Sequence, residues 1–364
     1  MRQPVAPGPV RAWRGRPPRA AAILLLLARL TCAAVSSAEP PSTPSSAIVS
    51  SDFVFERASF ASAHASTLVE TREGLLAAWF GGSDESQPDV SIWSARHDGA
   101  RWLPPVLVAD GRQPGGGRFP CWNPVLFQPS RGPLLLFYKV GPSPREWWGL
   151  VRTSTDQGRT WSDAARLPDG ILGPIRAKPV ELPGSVLVAG SSSEHAGWVV
   201  HIERATLEDG SAPSAWTKSG PLNDAKAFEA IQPTILVHSP TRLQILCRSR
   251  QRVITEAWSE DAGRTWSAMT ATALPNPSAG IDALRLADGR FLLVYNPTPS
   301  GRSRLELAVS RDGRGWRSAV VLEDAPGESS YPALIQARDG RVHVSYTWRR
   351  ERIKHVVLDP RRID

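Results

Sequence analysis

Short apolar runs, each closed by a turn, recur along the chain from residue 65 onward. "ASTLV" at Ala65, "NPVLF" at Asn123, "KPVEL" at Lys178, "QPTIL" at Gln232, "DALRL" at Asp282 and "YPALI" at Tyr331 each read as one short strand. A second apolar run follows each: "GLLAAWF", "GPLLLFY", "GSVLVAG", "TRLQILC", "GRFLLVY" and "GRVHVSY". In five units a third strand then leads to a turn and a tryptophan, at Trp102, Trp161, Trp216, Trp266 and Trp316. Runs of this length between Gly, Pro, Asn and Asp are strand signals. A period of roughly 50–60 residues marks a solenoid or a propeller. The pattern predicts an all-β chain, a six-bladed β-propeller over residues 51–359.

The turns share a phrase. "STDQGRTW" (154–161), "SEDAGRTW" (259–266) and the shorter "SRDGRGW" (310–316) carry Ser, Asp, Gly and Trp in one order, and "SARHDGARW" (94–102) is a degenerate copy. Gly supplies a positive φ, Asp bonds the backbone N–H groups of the turn, and Trp packs into the blade. These Asp boxes are structural and carry no chemistry. The sixth unit ends at "RIKHVVLD" without an outer strand, while "SDFVFE" (51–56) has no unit of its own. Pairing the two closes the ring and removes an exposed edge.

Charge changes the picture only at the N-terminus. The chain's formal charge is +8, but six arginines and no acids precede Glu39, so the remainder carries +2. A body so nearly balanced has no electrostatic footprint for nucleic acid. Residues 1–38, an Arg-rich start, "AAAILLLLARL" and then small residues, read as a signal peptide cut near Ala38. The rival reading is an organelle transit peptide. The apolar core is too short to span a bilayer, so no stable membrane span is expected after its removal. Residues 39–50 form a linker beginning with the Pro/Ser-rich "EPPSTPSS", and residues 360–364 are a tail. Cys121 and Cys247, far apart, behave as buried apolar residues rather than as a disulfide framework. Walker, HExxH and paired-Cys patterns are absent, and no cofactor or metal is expected.

Candidate chemistry lies where the inner strands begin. His64 or Ala65, Asn123, Lys178, Gln232, Asp282 and Tyr331 open the six units and should converge on the axis. Polar residues at equivalent places in nearly every blade suit a binding site better than core packing. Asp84, Glu85 and Asp89, Arg145 beside Trp147 and Trp148, Glu194 and His195, Arg248 and Arg250, and Arg302 and Arg304 fall near the same face.

At these motifs the chain resembles the sialidase (neuraminidase) superfamily, in its divergent Asp-box (BNR) branch of predicted neuraminidases, over about residues 51–359. "ESSYPALIQARDGRVHVSYTW" is similar to the segment bearing the nucleophilic tyrosine, which implies Tyr331. "ILCRSR" and "RSRLELAVSRDG" are similar to strands carrying carboxylate-binding arginines, which imply Arg248 and Arg304. "FGGSDESQPDVSIW" implies an acid/base carboxyl at Glu85, with Asp84 as the alternative. Two positions depart from the family. "AHAST" with His64 stands where the first arginine is expected, and Gln232 stands where a glutamate pairs with the tyrosine.

The resemblance implies an extracytoplasmic exo-glycosidase acting on a terminal acidic sugar, sialic acid by default. Arginine forks suit a carboxylate, and a tyrosine nucleophile avoids placing like charge against it. Lys178 or His64 stands in for the missing arginine. Asp282 or Glu194 supplies a base for Tyr331. Asn123, Arg145 and Asp89 complete the substrate-binding set. Two rivals share the fold: a polysaccharide lyase using Tyr331 with His64 or His195 on a uronate, and a glycan-binding propeller without catalysis.

Overall fold

Twenty-four strands form six antiparallel sheets of four among the described residues, arranged as a six-bladed β-propeller. The computed structural model describes residues 46–364. The expected signal peptide lies outside the described residues. Five blades are built from consecutive strands. The fourth, for example, runs Ala230–Val237, Leu243–Ser249, Val253–Ser259 and Thr270–Pro275. The sixth takes Ser329–Gln336, Val342–Trp348 and Arg352–Leu358 and completes its sheet with Ile48–Phe53, antiparallel to Arg352–Leu358. The closing strand therefore begins three residues before the expected 51–56. The C-terminus extends the packed body too: Pro360–Arg362 forms a 3-10 turn, and Ile363 is buried.

Apolar residues fill the seams between neighbouring blades. Leu292, Val294 and Leu307 of the fifth blade meet Leu334, Val344 and Tyr346 of the sixth in one cluster. Cys121 and Cys247 are free and fully buried in such seams. Burial raises the Cys121 thiol to about 12 and pushes Cys247 up as well.

The Asp boxes hold their turns as the sequence predicts. Asp261 Oδ1 accepts from the N–H groups of Arg264 (3.0 Å) and Thr265 (2.8 Å), with Gly263 at φ 79°. Trp161, Trp266 and Trp316 lie half-buried against blade cores.

Strand direction sorts the loops. The start of each inner strand, the second-to-third hairpin and the link from one blade to the next share one face, because neighbouring strands are antiparallel. The Asp boxes, between third and fourth strands, lie on the other face.

Candidate active site

Four inner strands carry the same irregularity. Residues 65–66, 123–124, 232–233 and 331–332 each set two residues opposite one of the neighbouring strand. Such bulges re-aim side chains. Their leading residues, Ala65, Asn123, Gln232 and Tyr331, have φ of 54°, 38°, 57° and 53°. A non-glycine residue there costs about 1–3 kcal/mol. Proline follows three of them, and its missing N–H costs nothing where the ladder is already broken. Strain repeated at equivalent points of four blades marks the mouth of the axis as a built site.

Tyr331 is at the centre of that site. Arg248, at the end of Leu243–Ser249, donates from Nη1 to the Tyr331 hydroxyl and is itself buried. The guanidinium carbons of Arg176, Arg248 and Arg302 lie 5.3, 5.6 and 5.7 Å from the Tyr331 ring centre. The His64 ring packs 4.2 Å from it, centre to centre. Gly280 allows this crowding: a Cβ there would meet the Tyr331 ring at 3.2 Å and Arg176 Nε at 3.3 Å.

Arg176 comes from the link before the third blade. Its Nη1 donates to the Ile281 carbonyl at 2.7 Å, and its Nη2 to that of Pro332. Buried groups fix the link itself. Glu203 accepts from the N–H groups of Leu172 (3.1 Å) and Gly173 (2.6 Å), and Lys139 donates to the Pro174 carbonyl.

A second layer of charge surrounds this centre. Glu328, which precedes Ser329–Gln336, binds Arg302 Nη1 (3.0 Å), Arg350 Nε (2.8 Å) and Ser330 Oγ (2.6 Å). Burial alone would raise its carboxyl, but the bonds from Arg350 and Ser330 hold it down at about 2. Arg350 also donates to Glu85. Arg349 and Arg350 sit consecutively at φ 53° and 59° in the hairpin after Val342–Trp348. Burial and the charges of Arg350, Arg302 and Arg176 push His64 well below its ordinary value, so its imidazole is neutral. Four arginines thus lie around Tyr331 and His64, and two of them, Arg302 and Arg350, pair with the carboxylates of Glu328 and Glu85.

Four buried nitrogens here have no hydrogen-bond partner: Nδ1 and Nε2 of His64, Nε of Arg176 and Nε of Arg248. Gln232 Oε1, on the strand beside Arg248, is unpartnered as well. Buried polar groups are nearly always paired, so such a cluster needs an explanation.

The structure corrects several expectations. Arg304 does not join Arg248. It is bound by Glu306, two residues along the same strand face, and by Asp324 at 2.8 Å, and Arg302 occupies the expected place. Lys178 does not stand in for an arginine and Asp282 is no base for Tyr331, because they pair with each other at 2.8 Å. Asp282 also accepts from Thr234 Oγ1 and Leu334 N, both at 2.9 Å, so this carboxylate ties together the inner strands of three blades. Asp89 closes its own loop by accepting from Ser83 N and Oγ, both at 2.8 Å. Asp84, Arg145 and His195 are exposed, and Asn123 is buried at its bulge. Sequence reasoning passed over Arg176, Glu328, Arg350 and Trp198. Their sequence signals were slight: Glu328 opens the quoted "ESSYPALIQARDGRVHVSYTW", and Arg350 lies in the basic run "WRRER".

The family model for the BNR repeat-like domain matches residues 73–344. The chain belongs to the BNR repeat-like domain family. No curated protein sequence matches it. Among solved structures, this BNR-repeat chain is similar to a Dyadobacter fermentans protein of unknown function, with a TM-score of 0.71 and 19% identity over 86% of this chain and 98% of that one. It is similar to the NanB sialidase of Streptococcus pneumoniae at a TM-score of 0.69 and 12% identity, covering 89% and 72%. The Hadza microbial sialidase Hz136 gives 0.70 and 17%, covering 83% and 66%. At these identities the likeness speaks for the fold. Among the described residues no helix is long and apolar enough to cross a membrane.

Proposed function

We propose that this protein is an exo-glycosidase that hydrolyses a terminal acidic sugar, sialic acid by default, from glycans outside the cytoplasm. The observation that carries the reading is the cluster of unpartnered buried nitrogens on His64, Arg176 and Arg248 around Tyr331. An anionic, oxygen-rich ligand satisfies donors of this kind. Arg248 and Arg302 hold the carboxylate, and Arg350, fixed by Glu328 and Glu85, borders the site in place of the family's first arginine. Tyr331 is the nucleophile. Gln232 cannot take its proton and Asp282 is committed elsewhere; the neutral imidazole of His64 packs on the Tyr331 ring without bonding its hydroxyl, and accepts the proton once bound substrate brings the two within hydrogen-bond reach.

The same contact supports a second reading. A neutral histidine packed on a tyrosine also suits β-elimination on a uronate, with His64 removing the carbon-bound proton and Tyr331 protonating the leaving oxygen. Product analysis on aryl and oligosaccharide glycosides of sialic and uronic acids separates the two. Free acidic sugar supports hydrolysis, and an ultraviolet-absorbing unsaturated product supports elimination. Binding without turnover makes the protein a glycan-binding propeller, and a protein that neither binds nor turns over these glycosides refutes the proposal.

A further inference from the structure

The resemblance assigns proton delivery to Glu85, but the geometry separates the two carboxyls on the reactive face. Glu85 is in an ion pair with Arg350, which also holds Glu328. That ion pair fixes the position of the Glu85 carboxyl against Arg350. Glu194, in the hairpin between Val186–Ser193 and Val199–Thr206, makes no ion pair, and its polar contact is the indole N–H of Trp198 at 3.0 Å.

That contact leads to the reactive centre. Trp198 lies between two guanidinium groups, with Arg248 Cζ 4.8 Å and Arg250 Cζ 4.5 Å from its ring centre. Arg248 in turn holds the Tyr331 hydroxyl. Glu194, Trp198, Arg248 and Tyr331 are therefore one contiguous chain. The charged groups acting on Glu194 are Arg248, Arg250 and Arg145, all of which favour its ionised form. Burial outweighs them and raises its carboxyl above the ordinary range. Glu85 is thus tied to a guanidinium while Glu194 has none bound to it, and two carboxyls in such different surroundings can divide the acid and anchoring roles.

We infer that Glu194, rather than Glu85, donates the proton to the departing glycan oxygen, while Glu85 fixes Arg350. The inference rests on the hydrolase reading above. In the first step the bond between the anomeric carbon and the leaving oxygen breaks, and its electron pair stays on that oxygen, which takes the Glu194 proton. Tyr331 Oη forms the new bond to the anomeric carbon and its proton passes to His64. In the second step water attacks that carbon and gives a proton to the Glu194 carboxylate. The bond to Tyr331 breaks, and the phenolate recovers its proton from His64.

The test compares Glu194→Gln and Glu85→Gln on two substrates: an acidic glycoside with a poor alkoxide leaving group, sialyllactose, and its 4-methylumbelliferyl counterpart. The expected result is a loss of about 10²–10⁴ in kcat/KM for Glu194→Gln on sialyllactose. The aryl substrate should lose less than about tenfold, because its leaving group needs little protonation, and the basic limb of the pH profile should disappear. Glu85→Gln should weaken both substrates alike. Glu194→Ala with added azide should yield glycosyl azide, which also shows that the variant is folded. Equal losses on both substrates for Glu194→Gln, no loss, or a leaving-group split in Glu85→Gln instead overturns the assignment. A wild-type protein that turns over neither substrate overturns the hydrolase reading itself, and the assignment with it.

Discussion

Replacing Arg248 with lysine separates binding from folding. Arg248 Nη1 is engaged by Tyr331, while Nε has no partner. An acidic ligand approaching the Nε and Nη2 edge finds a two-pronged donor that lysine cannot supply. Losing one charge-assisted hydrogen bond costs about 1.5–3 kcal/mol. At the upper part of that range the affinity falls roughly 100-fold, since each 1.4 kcal/mol is about tenfold. Folding should respond the other way. A buried unsatisfied polar group costs about 1–3 kcal/mol, and Arg248→Lys removes the orphaned Nε. The ammonium can still face Trp198, retaining part of a contact worth about 0.5–2 kcal/mol. Calorimetric titration with sialic or glucuronic acid, beside thermal unfolding, reads both effects. The expected outcome is affinity about 100-fold weaker with Tm unchanged or raised. Affinity within threefold of wild type refutes the clamp, and a Tm falling in parallel with affinity makes Arg248 a structural residue instead.

Tyr331→Phe removes one oxygen, so the fold should survive while kcat falls by several orders of magnitude; full activity in the folded variant refutes the nucleophile. His64→Gln should reduce kcat more than KM, and steady-state kinetics with unchanged kcat would remove its proton-acceptor role. Asp261→Ala deletes four hydrogen bonds of an Asp box on the opposite face and should lower Tm without changing kcat/KM. Acid should destabilise the ring at its seam, where His355 accepts from Trp102 Nε1 (3.3 Å) and contacts His343 Nδ1 (3.0 Å). Burial, and then His343 and His97, lowers His355 to about 3. The unfolded chain takes up that proton near pH 6.5 and the folded chain does not, so stability present above about 6.5 is lost as pH falls toward 3. The loss reaches on the order of 5 kcal/mol, and His355→Gln should flatten this limb in denaturant titrations across pH. An unchanged limb would place the acid sensitivity elsewhere.

The fold was legible because blades repeat. Six copies of one apolar pattern, four visible Asp-box phrases and one unmatched strand leave little freedom in topology. Tyr331 was legible because it opens a repeat, and Arg248 because "ILCRSR" resembles a family strand that carries an arginine. The remainder of the site comes from the least regular parts of the chain. Arg176 lies in an inter-blade link, Glu328 just before a strand and Arg350 in a hairpin whose partner Glu85 is 265 residues away. Arg302 and Arg304 look equivalent in "GRSRLEL". They differ because Arg304 adjoins the strand Leu305–Ser310 and reaches the same-face Glu306, while Arg302 stays in the preceding loop. Lys178 and Asp282 open their repeats as Tyr331 does, but neither adopts the left-handed bulge, and the pair is committed to holding the axis.

Covalent trapping tests the central claim most directly. The protein would be incubated with a fluorinated acidic glycosyl fluoride, which slows release of the intermediate, then digested and analysed by peptide mass spectrometry. The account predicts one added sugar per chain, on the peptide containing Tyr331 and located at its phenolic oxygen. A label on any other residue, or turnover of the reagent with no labelled peptide at any time point, would contradict it.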